Sequence, residues 1–225
     1  MDVREAVLTR RSTRAFLDKP VQREALERVL ETALRAPSGG NLQPWHIHVL
    51  TGEPLDRLRS VVLNRLNEGA GGDAPDYAVY PPKLSAPYRD RRFRLGEQLY
   101  GALNIPRENK TDRLRWFARN YELFGAPVGL FCYVDRQMGA AQWSDLGMFL
   151  QTLMLLLEEE GLASCAQEAW SIYHRSVAEV IKPPDEHMLF CGMAIGYADT
   201  ADPANAFMAE RAPLSEIVQF DGFTP

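Results

Sequence analysis

The chain has 225 residues, 46% apolar and 24% charged, with 25 basic against 30 acidic side chains and a net charge of -5. That balance suits a folded domain with a substantial core, and it excludes disorder and any general electrostatic attraction to nucleic acid or membranes. The three cysteines, Cys132, Cys165 and Cys191, sit in apolar runs without CxxC spacing. The N-terminus is charged where a signal peptide is apolar, and no run reaches membrane-spanning length, so the expectation is a soluble, reduced, cytoplasmic protein.

Residues 2–9 read as a short helix leading into Arg10, Arg11, Ser12 and Arg14. Three guanidinium groups within five residues, with a hydroxyl among them, suit a phosphate monoester; a solvated basic turn is the other reading. An amphipathic helix follows over 22–35, with Leu26, Val29, Leu30 and Ala33 inward. Pro37 ends it, and the corner Ser38-Gly39-Gly40-Asn41 with Gln43 crowds polar side chains onto a glycine bend. Residues 45–50 then alternate as a strand, with Trp45, Ile47 and Val49 on one face and His46, His48 and Leu50 on the other. Such a corner either presents hydrogen-bonding groups to a small molecule or simply connects helix to strand.

A helix from Thr51 carries Leu55, Leu58, Val62 and Leu66 and ends near Glu68. The Gly/Pro-rich connector 69–87 is long, and helical patterns resume over 89–103 and 111–123. On the second of these, Trp116, Asn120, Tyr121 and Phe124 stand three and four residues apart. They could roof a substrate channel, which makes 69–125 a lid-like excursion, or they could be ordinary core. Val128–Val134 is a continuous run of β-formers, fit for a central strand.

Gln142-Trp143-Ser144-Asp145 opens the longest buried helix, with Ser144 or Asp145 as cap and Gly161 as its end. Glu158-Glu159-Glu160 reads as its solvated end. A short strand over 163–167, a helix over 174–181 and a strand over 189–195 follow. Residues 197–225 look like an extended arm with little core of its own, which needs a surface such as a second subunit. The four histidines show no metal-ligand spacing, so no metal is expected. No GxGxxG is present, so a nicotinamide would have to share another ligand's pocket. The pattern amounts to one α+β domain over 1–225, with a modest sheet flanked by helices.

The runs RRSTRAF, APSGGNLQPWHIHVLTG, PPKLSAPYRDRR, RNYELFGAPVGLF, WSDLGMFLQTLML, AQEAW, CGMAIGYAD and ERAPL, in this order, resemble the FMN-dependent nitroreductase family. Within it the chain is most similar to the branch of nitrobenzoate and dinitroaromatic reductases. The resemblance implies a nitroreductase-like fold with a mostly antiparallel sheet, and a homodimer whose C-terminal arms reach onto the partner and whose interface holds FMN. It implies that Arg10, Arg11, Ser12 and Arg14 hold the phosphate and ribityl side, joined by Arg211. Pro37, Ser38, Gly39 and Asn41 of the partner would edge the ring. Gln167, Glu168 and Ala169 would line the reactive flavin edge, although Ala169 stands where the enteric pattern has glycine. Trp116, Asn120 and Phe124 would meet substrate, and Lys83 is the candidate for the pyrimidine end. The implied reaction is ping-pong reduction of nitroaromatics or quinones by NADPH or NADH, with the flavin N5 rather than any side chain carrying the chemistry. The same resemblance leaves open reductive dehalogenation, flavin reduction, or a non-catalytic FMN-binding dimer.

Overall fold

The computed structural model describes residues 1–69 and 72–223, and its framework is one antiparallel sheet. Strands β1 (His46–Thr51), β2 (Val128–Asp135), β3 (Ala163–Gln167) and β4 (His187–Gly196) lie in the order β1-β2-β4-β3. The uninterrupted apolar run in β2 reflects burial on both faces. Leu130, Cys132 and Val134 join the core under α2 (Arg23–Ala33) and α6 (Ala140–Glu159). Phe131 and Tyr133 join the opposite core, under α3 (Gly52–Asn67) and α7 (His174–Ile181). Helix α1 (Val3–Thr9) packs beside α6. The two layers of helix give each sheet face a cover, as an α+β domain needs.

One extra residue interrupts β4. Cys132 opposes Cys191 while Tyr133 opposes Leu189, so Phe190 has no partner of its own. The bulge resets the alternation, and Met188 and Cys191, three residues apart, both face the α2–α6 core.

The structure corrects three local expectations. Helix α6 starts at Ala140, and neither Ser144 nor Asp145 caps it. Instead the Gln142 side chain accepts the Gly139 N–H at 3.3 Å, Ser144 donates to its own turn at Ala141, and Asp145 is buried inside the helix. Gly161 does close it, in the left-handed region at φ +72°.

Second, Trp116, Asn120 and Phe124 do not share a helix. Helix α5 (Lys110–Ala118) stops early, and a 3-10 turn over Arg119–Gly125 follows, with Leu123 and Phe124 left-handed. Third, the excursion is shorter than 69–125. Asp73 donates its N–H to Ile172 and accepts from Arg175, Asp76 pairs with Arg136, and Tyr77 donates to the Phe190 carbonyl. At the far end Tyr121, Leu123 and Phe124 are core. What projects is 78–118, with α4 (Tyr88–Ala102) and α5 holding no buried residue.

Residues 70–71 of the expected lid and 224–225 of the expected arm lie outside the described residues. The start of the arm is anchored on its own chain: Leu17 donates to Tyr197, Asp199 to Ala15, and α8 (Pro203–Ala206) buries Ala204 and Asn205. Beyond it α9 (Leu214–Ile217), Phe220 and Phe223 are exposed.

Candidate functional site

The arginine segment extends along the free edge of the sheet. Ser12 bridges Ser164 of β3 in parallel, and Thr13 donates its N–H to the Ser164 carbonyl at 3.0 Å. Asn205, almost two hundred residues away, clasps the segment from the other side. Its side-chain oxygen accepts the Arg14 N–H at 2.7 Å, and its amide donates to the carbonyls of Ala15 and Asp199 at 2.8 Å each. Extended backbone alternates its side chains, so Arg10, Ser12 and Arg14 share one side and Arg11 and Thr13 the other. Arg11 donates to the Asn205 carbonyl at 3.0 Å. The Arg14 guanidinium donates to the Ser12 carbonyl at 3.2 Å.

Among the described residues no carboxylate stands within ion-pair distance of Arg10, Arg11 or Arg14. Glu158 feels the charges of Arg10 and Arg11. Burial raises its carboxyl above the usual range, and Arg10 and Arg11 pull the other way. Glu158 is therefore half-buried against the arginines rather than part of a solvated helix end, while Glu160 pairs with Arg28 at 3.0 Å. Uncompensated guanidinium charge beside a serine fits a phosphate.

Gln167 ends β3, about 10 Å of strand beyond Ser164 and its neighbour Ser12. Its buried amide is held rigidly. It donates to the Asn120 backbone carbonyl at 2.8 Å and side chain at 3.2 Å, and it accepts from the Trp170 indole at 3.4 Å. Trp170 lies flat against β4 at Gly192, where a Cβ would stand 2.4 Å from the indole. Glycine is required there by close approach, not by backbone angle. Glu168 accepts the Ser171 hydroxyl on its carbonyl, and burial raises its carboxyl above the ordinary value. Tyr121 donates to the Ala169 carbonyl at 3.4 Å. Asn120 thus meets the expected flavin edge directly. Trp116 is half-exposed under Arg119, and Phe124 is core. Lys83 is exposed.

The corner 37–41 stands elsewhere. Gly39 donates its N–H to both Asp145 oxygens at 3.2 Å, Gln43 donates to the Ser38 hydroxyl at 2.9 Å, and Gly40, Asn41 and Gln43 are left-handed. Asp145 is an anchor that the sequence disguises as a helix cap, since nothing local links it to a glycine 106 residues earlier. It sits near the start of α6 and Glu158 near its end, about 20 Å apart along the axis. The corner and the arginine segment of one copy therefore stand at opposite ends of α6.

Arg211 donates to the carbonyls of Ala209 and Glu210 in a cleft beside α4. Burial pushes the Cys132 thiol up to about 12 and raises Cys165 and Cys191 as well, which leaves no thiolate nucleophile. Among the described residues no group of histidine, cysteine and acid side chains is placed to hold a metal, and no helix is long and apolar enough to cross a membrane.

The model of the nitroreductase family matches residues 7–197. A 4-nitrobenzoate reductase from Pseudomonas putida is 35% identical over 222 residues, covering 99% of this chain and 96% of its own length. A nitrobenzene nitroreductase from Ectopseudomonas oleovorans is 36% identical over 96% of this chain and 95% of its own. Among solved structures, the FMN and NADPH-dependent nitroreductase NfnB from Sphigopyxis sp. strain HMH superposes with a TM-score of 0.96 at 47% identity, covering 99% of this chain and 100% of that one. The FMN-dependent NfnB from Mycobacterium smegmatis, in complex with NADPH, superposes with a TM-score of 0.91 at 30% identity, covering 98% and 100%.

Proposed function

The chain belongs to the nitroreductase family, and from that premise we propose that it is an FMN-dependent NAD(P)H oxidoreductase reducing nitroaromatic compounds to hydroxylamines. Each nitro group takes two two-electron steps: two NAD(P)H and two protons are consumed, and two NAD(P)+ and one water are released. FMN, when bound, accepts hydride from the nicotinamide and returns the electrons to the nitro compound. The observation that carries this reading is the uncompensated set Arg10, Ser12 and Arg14 at one end of β3, with the rigid Gln167–Ala169 turn at the other.

In this reading Arg10, Ser12 and Arg14 hold the cofactor's phosphate. Arg11, tied to Asn205, shapes the segment that presents them. Gln167, Glu168 and the backbone at Ala169 meet the polar rim of the ring, and Asn120 and Trp170 keep the Gln167 amide in one orientation. Pro37, Ser38, Gly39 and Asn41 would serve the site of a second copy, because within one copy they stand about 20 Å of helix away from Glu158 beside the arginines. A homodimer also covers exposed apolar side chains: Val3, Val7 and Leu8 on α1 and Met148 on α6 beside it. Trp116, half-exposed under Arg119, and Asn120, bonded to Gln167, would meet the substrate. The free, buried cysteines fit a reducing compartment, the cytoplasm.

The test is the visible spectrum under anaerobic conditions. The protein as purified should carry a flavin that NADPH or NADH bleaches, that 4-nitrobenzoate restores, and that yields the aryl hydroxylamine. Restoration by a halophenol alone would assign reductive dehalogenation instead. A flavin that neither nicotinamide bleaches would make the protein a non-catalytic FMN-binding dimer.

A further inference from the structure

The excursion is fastened at its root to the turn that follows β3. Residues 72–77 run along the 3-10 turn Glu168–Tyr173 and the first turn of α7. Gly72 comes so close that a Cβ would stand 2.4 Å from the Ile172 side chain, and at φ +83° its backbone is left-handed as well. Asp73 donates its N–H to the Ile172 carbonyl at 2.7 Å. Its carboxylate accepts the Arg175 N–H at 2.8 Å and pairs with Arg65 of α3 at 3.2 Å. The His174 ring lies between the Ala74 carbonyl at 2.9 Å and the Asp76 carboxylate at 3.4 Å, and Asp76 pairs in turn with Arg136 at 3.1 Å.

Asp73 is the centre of this attachment. Its side chain is only 8% exposed, and a carboxylate so far out of water is stable only while its charge is bonded. It sits at the N-terminus of α7, where the helix dipole favours a negative charge. One residue thus holds both the Ile172 carbonyl and the Arg175 N–H in place. From Ile172 the turn leads back through Ser171, whose hydroxyl donates to the Glu168 carbonyl at 2.8 Å. Tyr77 stands beside that hydroxyl and donates to the Phe190 carbonyl at the β4 bulge. Trp170 seats the turn on the sheet at Gly192, and residues 72–77 seat it from the excursion.

We propose that residues 72–77 are a strap that sets the position of the Glu168–Ala169 backbone, with Asp73 as its positioning residue. The assignment rests on the reading above, in which that backbone meets the reactive edge of the flavin. Hydride transfer requires donor and acceptor at near-attack distance, so a small displacement of the edge slows the reaction steeply. The strap therefore governs how fast bound flavin is reduced. The arginine segment, at the other end of β3, governs whether flavin is retained.

The experiment measures anaerobic stopped-flow bleaching of the FMN-loaded protein by saturating NADPH or NADH, in wild type, Asp73→Ala and Asp73→Asn. Amide exchange is followed in parallel. Asp73→Ala should slow the limiting rate per bound flavin roughly tenfold or more, with FMN retention on dialysis unchanged. Asp73→Asn keeps an acceptor for the Arg175 N–H and should recover most of the rate. Amides of the Glu168–Tyr173 turn should exchange faster in Asp73→Ala while those of β2 do not change. Gly72→Ala pushes the strap off Ile172 with Asp73 intact, and it should give the same pattern if Asp73→Ala fails to fold. A limiting rate per bound flavin equal to wild type would overturn the proposal, even if FMN retention fell, because Asp73 would then serve retention or folding alone. Unchanged exchange in the turn would overturn it as well. Should neither nicotinamide bleach the wild-type flavin, the reaction reading falls, and the exchange rates of the turn still decide the strap.

Discussion

Strand β2 and the 78–118 excursion both draw heavily on aromatic and aliphatic side chains, yet they are held together in opposite ways. All but the last residue of β2 are buried, between two helical layers. In α4 and α5 no residue is buried, and the aromatic rings meet arginines instead: Arg113 over Tyr100 at 4.3 Å, Arg107 over Phe93 at 5.2 Å, Arg119 over Trp116 at 4.6 Å. Apolar burial gives a scaffold that defines positions to a fraction of an ångström. Arginine stacking on exposed rings gives a surface that stays attached while its side chains remain free to rearrange. The arginine segment and the Gln167 turn are built on the first, and the surface of α4 and α5 is of the second kind.

Substitutions test that contrast, beginning with the largest expected effect. Phe149 is fully buried and stacks on Trp45 at 5.0 Å, so Phe149→Ala should destabilise the fold by about 4 kcal/mol in urea titration. A loss under 1 kcal/mol would mean that the sandwich is not the stabilising element. Asp145→Ala leaves the Gly39 N–H unpartnered and should cost about 2 kcal/mol. Unlike Phe149→Ala, it should also weaken FMN retention at temperatures where the fold persists, read as flavin released on dialysis. Asp145→Asn, which keeps an acceptor, should recover part of both.

A third test uses pH. Burial first, then the neighbouring charge of His187, lowers His46 and His48 below the ordinary 6.5. The unfolded chain therefore binds more protons between those lowered values and 6.5, and stability falls as pH drops through that window. His46 also stacks on His187 at 3.9 Å, an arrangement that protonation opposes. The urea midpoint should drop between pH 7.5 and 5.5 by more in wild type than in His46→Gln/His48→Gln. Equal drops would remove the histidines from the account.

The smallest global effect belongs to the excursion. Arg113 pairs with Glu97 at 2.7 Å, a half-buried ion pair within the excursion. Arg113→Gln should leave the urea midpoint almost unchanged while amide exchange in α4 and α5 accelerates, and added salt should mimic it in wild type. Accelerated exchange in β2 would erase the distinction between the two regions.

The parts legible in the sequence were those in which local pattern and tertiary burial agree. The run VGLFCYV and the alternation from Trp45 read directly as strands, and β3 and α7 fall on the expected residues. The rest depended on partners distant in sequence. Asp145 looks like a cap because its real partner, Gly39, is 106 residues away. The separation of Arg11 from Arg14 depends on Asn205. The break after Ala118 was hidden for a different reason: Leu123 and Phe124 hold left-handed angles that bulky residues rarely adopt, and only the surrounding core enforces them.

The central claim, that one copy grips the cofactor with Arg10, Ser12 and Arg14 while the corner at 37–41 comes from the other, is tested most directly by mixed dimers. Arg14→Ala and Asn41→Trp are each expected to bind little FMN as homodimers, since both sites of each carry a lesion. A heterodimer of the two, isolated with different affinity tags, places both lesions at one site and leaves the other whole. It should bind one FMN per dimer and recover about half the wild-type activity. A heterodimer as empty as its parents would put grip and corner in the same copy and contradict the account.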